Sequence, residues 1–218
     1  MNEVAFLSSL RKNYWFLLPY LLMIIILGLV HLIYTKSAIH LAINNFNSPF
    51  LDLFFRNITL LGHGFFTMII ICLFLFFHFR KSVAILLAFI GSGLIVQILK
   101  TTIFSDSLRP MEFFAGKEVL HFVDGVNQLV IQTFPSGHSA SAFALFLCLA
   151  AFAKNSLLKF LFFILATLTA FSRVYISQHF LIDAMAGSLI GVLVTIFVLY
   201  YFYYRRPFSF LDNSIIPN

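Results

Sequence analysis

Apolar residues fall into six long runs, at about 15–35, 60–79, 82–104, 138–153, 156–175 and 180–204, with short polar breaks between them. Crossing roughly 30 Å of hydrocarbon takes about 20 helical residues. Five runs reach that length and 138–153 falls short, so the pattern predicts six transmembrane helices with one of uncertain ends. Between the first two runs, Lys36 to Asn57 places apolar residues at helical spacing among polar ones, which predicts an amphipathic helix lying along the membrane surface. The main polar insertion runs from about Ser105 to Phe134. In it, VLHFV and VNQLV flank Asp124-Gly125, a two-residue hairpin signal. The expected fold is all-α: one integral-membrane domain over 1–218, polytopic, without tandem repeats.

Composition excludes the soluble alternative. The chain is 61% hydrophobic and 10% charged, where a soluble domain carries about 25% charged residues. The phenylalanine excess reads as lipid-facing and core filling. Cys72 and Cys148 lie inside apolar runs and read as buried small hydrophobes, not as a disulfide or metal pair. The first run is followed by no small-residue cleavage site, so it reads as a span and not a signal peptide.

With the N-terminus inside, Arg11, Lys12, Arg80, Lys81, Lys154, Lys159, Arg205 and Arg206 fall on the inner side. Lys36, Arg56, Lys100, Arg109, Lys117 and Arg173 fall on the outer side. The inner charges are mostly tight pairs in short loops, where the positive-inside rule counts most. Both termini are therefore expected in the cytoplasm. The net charge of +6 is a topology signal and implies no nucleic-acid partner.

That topology gathers three polar clusters on the outer face. Lys100 ends the third run and Arg109-Pro110 follows in the loop. Pro135-Ser136-Gly137-His138 opens the fourth run. Arg173 ends the fifth run, and His179 and Asp183 begin the sixth. His179 and Asp183, four apart, share a helix face that continues through Gly187 and Gly191, a small-residue stripe allowing close helix approach. A carboxylate beside a histidine fixes its tautomer and leaves the other ring nitrogen as nucleophile or base. Ser136 and Gly137 at a helix N-terminus form an anion seat. His138 is placed to protonate a leaving group. Lys100, Arg109 and Arg173 add positive charge, and arginine forks match phosphate oxygens. Together these describe a phosphoryl-transfer site.

In motif order and layout the chain resembles the type 2 phosphatidic acid phosphatase superfamily, over about residues 55 to 200. Pro135-Ser136-Gly137-His138 and Ser172-Arg173…His179…Asp183 match its second and third motifs. The first departs: eight residues separate Lys100 from Arg109 where the family has six, and a loop bulge is expected to absorb the extra two. The resemblance implies that His179 attacks phosphorus and forms a phosphohistidine, and that Asp183 orients it. It implies that His138 protonates the leaving oxygen, and that Lys100, Arg109, Ser136, Gly137 and Arg173 hold the phosphate. It implies no metal or other cofactor, and the sequence offers no carboxylate or Cys/His set suited to one.

Singly, each residue has a duller explanation, such as an interfacial anchor or an ordinary helix cap. Six of them in register on one side do not. His31, His40 and His78 read as interfacial or core. His63 reads as packing before cavity lining, and His121 as a hairpin residue within reach of the site. The expected protein is a lipid phosphatase of the cell inner membrane with its site facing the periplasm or exterior. Its substrate is a phosphorylated amphiphile, undecaprenyl diphosphate first. Lipid A, phosphatidylglycerophosphate and phosphatidic acid are alternatives. Vanadate-dependent oxidation and a non-catalytic lipid carrier are the readings from other classes.

Overall fold

The structure is a computed structural model and describes residues 3–204; Arg205, Arg206 and the tail after them lie outside the described residues. The helices are α1 (Glu3–Lys12), α2 (Tyr14–Ile33), α3 (Lys36–Asn45), α4 (Pro49–Ile58), α5 (Gly64–Phe77), α6 (Phe79–Thr102), α7 (Pro110–Phe113), α8 (Gly137–Phe152), α9 (Ser156–Tyr175) and α10 (Leu181–Val198). A 3₁₀ turn, Thr59–Gly62, joins α4 to α5, and a π-helical turn, Leu199–Tyr204, extends α10.

The all-helical membrane class is as expected. Four helices are long and apolar enough to cross a bilayer: Tyr14–Ile33, Phe79–Thr102, Ser156–Tyr175 and Leu181–Tyr204. The pair Pro49–Gly62 and Gly64–Phe77, bent by 53°, makes a fifth when counted as one span, while Gly137–Phe152 is apolar but shorter. Their outward faces carry exposed Leu21, Leu22, Ile25, Ile26 and Leu29 on α2 and Leu193 and Phe197 on α10, as lipid contact requires.

The expectations for 36–57 and for the hairpin need correction. The single amphipathic helix over 36–57 is two helices. Ser48 is extended and caps α4 by accepting from Leu51 N at 3.3 Å, and Pro49 sits in its first turn. Proline lacks the N–H that would continue α3 and suits the start of a new helix. The hairpin turn forms at Asp124-Gly125, where Gly125 has φ +76°, but no strand flanks it among the described residues. The would-be ladder groups are taken by other partners. Arg109 N donates to Val130 O (2.8 Å) and Arg109 Nε to Ile131 O (2.9 Å). Gln178 Nε2 donates to Asn127 O (3.0 Å), and His121 N to Asn44 Oδ1 (2.9 Å). Buried backbone groups take one set of partners or another, and here the insertion is tied to the helices instead of to itself.

Helix α8 forms the centre. Ala142 through Cys148 are buried on every side, and α6, α9 and α10 pack around them. A helix apolar all round belongs in a core, which explains why this short segment carries the second polar cluster at its tip. Phe16 of α2 packs edge-on against Phe143 (6.2 Å) and Phe163 (5.9 Å). Cys148 is buried as expected, but Cys72 is exposed on the outer face of α5; both are free.

The glycine stripe does what its spacing predicts. A Cβ at Gly187 would overlap the Ser136 carbonyl, and one at Gly191 the Ala140 carbonyl, so α10 crosses α8 backbone to backbone. Overpacking of this kind costs about 1–3 kcal/mol. Gly191→Ala is expected to lower the thermal unfolding midpoint in detergent. Gly28→Ala, with nothing within 4 Å of the added carbon, is expected to leave it unchanged or raise it. Equal midpoints for the two would contradict the close crossing.

At the end of the bundle away from α8's N-terminus, basic side chains grip backbone and rings. Lys159 Nζ donates to Lys12 O. Arg80 donates to Phe202 O at 2.8 Å. Lys12 lies 5.1 Å from the Tyr204 ring, and Lys81 5.6 Å from that of Phe152.

Candidate active site

His179 is not on a helix with Asp183, as its spacing suggested. Helix α9 ends at Tyr175 and the chain turns sharply through Ser177, whose φ is +56°. Asn44 Nδ2 (3.1 Å) and His40 Nε2 (3.3 Å) reach the Ser177 hydroxyl and hold that turn. Gln178 N and His179 N both bond to the carbonyl of Arg173, at 3.0 and 3.1 Å. Phe180 caps α10, and its N–H donates to Asp183 Oδ2 at 2.8 Å. The turn still brings His179 Nδ1 within 3.7 Å of Asp183 Oδ2, both side chains buried. That is too long for a hydrogen bond. Thr133 fills the gap: its Oγ1 lies 2.5 Å from Asp183 Oδ2 and 3.3 Å from His179 Nδ1.

Lys100, Arg109 and Arg173 come together through shared partners. Lys100 Nζ donates to Gln132 O at 2.8 Å, and Arg109 Nη2 reaches the same carbonyl at 3.4 Å. The chain between them turns where Ser107 N donates to Phe104 O (3.2 Å). Arg109 Nη1 donates to Gln178 O (2.9 Å) and Gln178 Oε1 (3.2 Å). Arg173 Nη2 reaches that amide oxygen at 3.5 Å, and its Nη1 donates to Thr59 Oγ1 at 2.9 Å. Gln178 thus spaces the two arginines and is itself held by Gln128 Oε1 at 2.7 Å. Its role was invisible in the sequence, where it is only the residue before His179. Arg173 Nε is buried without a hydrogen-bond partner, a donor left over for a ligand.

Ser136 caps α8, accepting from Ser139 N at 3.4 Å, and Gly137 opens the helix. Ser136 N donates to Asp183 O at 3.0 Å, locking the N-termini of α8 and α10 together. His138 follows, half-buried, in electrostatic range of Arg173, His179, His63 and Lys100. His63 differs from its packing assignment: it is exposed, and its ring lies 5.8 Å from that of His138. His121 stays away from this centre. Its Nε2 lies 2.9 Å from Asp52 Oδ2, and Tyr175 donates to the other oxygen of that carboxylate at 2.6 Å, clasping the insertion to α4 and α9.

Burial holds the His179 pKa well below its ordinary value, helped by the charges of Arg109, Arg173 and Lys100. Its imidazole is therefore neutral at physiological pH, with one nitrogen free as a lone-pair donor. Burial also lowers Arg109, partly opposed by Asp183; the guanidinium remains charged. Among the described residues, no three His, Cys, Asp or Glu side chains are grouped to hold a metal ion. A neutral imidazole facing three cations and a helix N-terminus is suited to attack on a phosphate.

Comparison with known proteins gives the family. The model of the PAP2 superfamily matches residues 81–207. The chain is 26% identical over 185 residues to the lipid A 4'-phosphatase of Porphyromonas gingivalis, covering 81% of this chain and 76% of that one. The crystal structure of Aquifex aeolicus LpxE is similar at 29% identity with a TM-score of 0.67, covering 75% of this chain and 94% of that one. That of the first transmembrane PAP2 type phosphatidylglycerolphosphate phosphatase from Bacillus subtilis is similar at 25% identity and TM-score 0.63, covering 86% and 94%.

Proposed function

The chain belongs to the PAP2 superfamily and is a membrane lipid phosphatase, and from that premise we propose that it removes a phosphate from a lipid A-type headgroup through a phosphohistidine on His179. The observation that carries the mechanism is the buried His179, held between Thr133 and the charges of Arg109, Arg173 and Lys100. Its free nitrogen attacks phosphorus. Arg109, Arg173, Lys100 and the N–H groups behind Ser136 and Gly137 take the charge on the phosphoryl oxygens. The phosphorus–oxygen bond to the lipid breaks, and the leaving oxygen takes its proton from His138. Water then attacks the phosphohistidine, giving a proton to His138 and releasing inorganic phosphate. Asp183 holds the site's geometry throughout.

The likeness to a lipid A 4'-phosphatase, which covers most of both chains, supports lipid A as substrate. Neither activity named among the relatives is hydrolysis of undecaprenyl diphosphate, so that lipid moves from first place to third, behind phosphatidylglycerophosphate. We further assign six spans within one domain, counting α8 and the bent pair, with both termini in the cytoplasm. The site then faces outward from the inner membrane, a placement supported by the basic grips at the opposite end of the bundle. The deciding experiment is phosphate release in detergent with EDTA from the three lipids side by side. Lipid A is expected to give the highest kcat/KM. Preference for undecaprenyl diphosphate would overturn the assignment, and release from none would favour a carrier.

A further inference from the structure

Resting on this assignment of the nucleophile, we propose that Thr133 is a positioning residue that links His179 to Asp183, which make no direct hydrogen bond. The Nδ1–Oδ2 distance is 3.7 Å, and the Thr133 hydroxyl lies between them at 3.3 and 2.5 Å.

The proton directions follow from the inventory of donors. The Asp183 carboxylate only accepts, and its Oδ2 already takes the Phe180 N–H at 2.8 Å. Thr133 has one proton, and the shorter contact takes it to Asp183. Its oxygen then faces His179 as an acceptor, so Nδ1 carries the imidazole hydrogen and Nε2 is the free lone pair. When Nε2 bonds to phosphorus the ring becomes cationic. The positive Nδ1–H is stabilised through Thr133 to the carboxylate, and no proton has to move. The hydroxyl is itself held in place: Thr133 is buried, its N–H donates to Ser107 O at 3.1 Å, and Phe134 N donates to Ser107 Oγ at 3.3 Å. Burial matters because a wrongly directed hydroxyl there would leave the carboxylate or the imidazole unpaired.

The test compares Thr133→Ser, Thr133→Val and Thr133→Ala, with Asp183→Asn alone and combined with Thr133→Val, in phosphate release from lipid A. Serine keeps the hydroxyl and is expected to hold kcat within about threefold. Valine keeps the shape and loses the hydroxyl. Its kcat is expected to fall about 10- to 10³-fold with KM little changed, less than the ~10⁴-fold cost of losing the orienting carboxylate of a catalytic histidine. Because both residues act through one chain of hydrogen bonds, adding Thr133→Val to Asp183→Asn is expected to cost little more. A packing role would make the two losses multiply. Full kcat in the valine variant, equal losses in serine and valine, or multiplying losses would overturn the proposal. If the valine variant does not fold, the serine and alanine pair carries the same contrast: serine active, alanine reduced. Full activity of His179→Ala would instead remove the nucleophile assignment beneath it, so the two failures are distinguishable.

Discussion

Replacing His179 by alanine is expected to abolish phosphate release, by about 10⁴- to 10⁶-fold in kcat, the scale found when the nucleophile of a covalent mechanism is removed. Alanine leaves no atom near phosphorus to form the bond, while the three cations and the α8 N-terminus remain. Binding should therefore survive, because Arg109 and Arg173 are held by Gln178 and Thr59 and not by His179. The measurement is kcat and lipid affinity together. The expected pattern is lost turnover with affinity retained within a few fold. The imidazole is buried, so its removal opens a small cavity, and a thermal midpoint close to wild type is needed to exclude unfolding as the cause.

Replacing His138 by alanine is expected to cost about 10²- to 10⁴-fold, the usual contribution of a general acid, and the size should depend on the leaving group. A lipid sugar or alcohol leaves as a poor alkoxide and needs the proton. An aryl phosphate leaves as a stabilised phenolate and does not. The variant should therefore lose far more on lipid A than on p-nitrophenyl phosphate. Position supports the role: His138 stands on the first turn of α8, half-buried, with the His63 ring 5.8 Å from its own. Equal losses on both substrates would mean that His138 binds phosphate and does not donate to the leaving oxygen.

Much of this was legible in the chain, for physical reasons that can be named. Membrane spans declare themselves because lipid permits few polar side chains, so their absence over about 20 residues is a strong pattern. The crossing of α8 and α10 was legible because only glycine admits backbone contact, and Gly187 and Gly191 stand four apart. The convergence of Lys100, Arg109 and Arg173 was legible because they fall on the outer side, where the positive-inside rule gives no reason for cations to collect.

What failed to show was decided by tertiary partners. The pattern on either side of Asp124-Gly125 satisfies a hairpin locally, but Arg109, Gln178 and Asn44 claim its backbone groups. The break between α3 and α4 was written in Ser48-Pro49 and was outweighed by continuous apolar periodicity. Cys72 lies in an apolar run, and in a membrane an apolar run has an outer face as well as a core. Spacing put His179 near Asp183, and they lie 3.7 Å apart, but no spacing rule reveals that a hydroxyl 46 residues earlier stands between them. Thr133 was in plain view two residues before Pro135. Only the folded turn gives it partners.

The central claim is a covalent intermediate on His179. The direct measurement is rapid quenching of the enzyme with radiolabelled lipid A, followed by mapping of the labelled peptide. A phosphoryl group stable to base and labile to acid is expected on the peptide containing His179, and none on that peptide in His179→Ala. Active enzyme that carries no label on that peptide at any time in turnover, or label elsewhere, would contradict it.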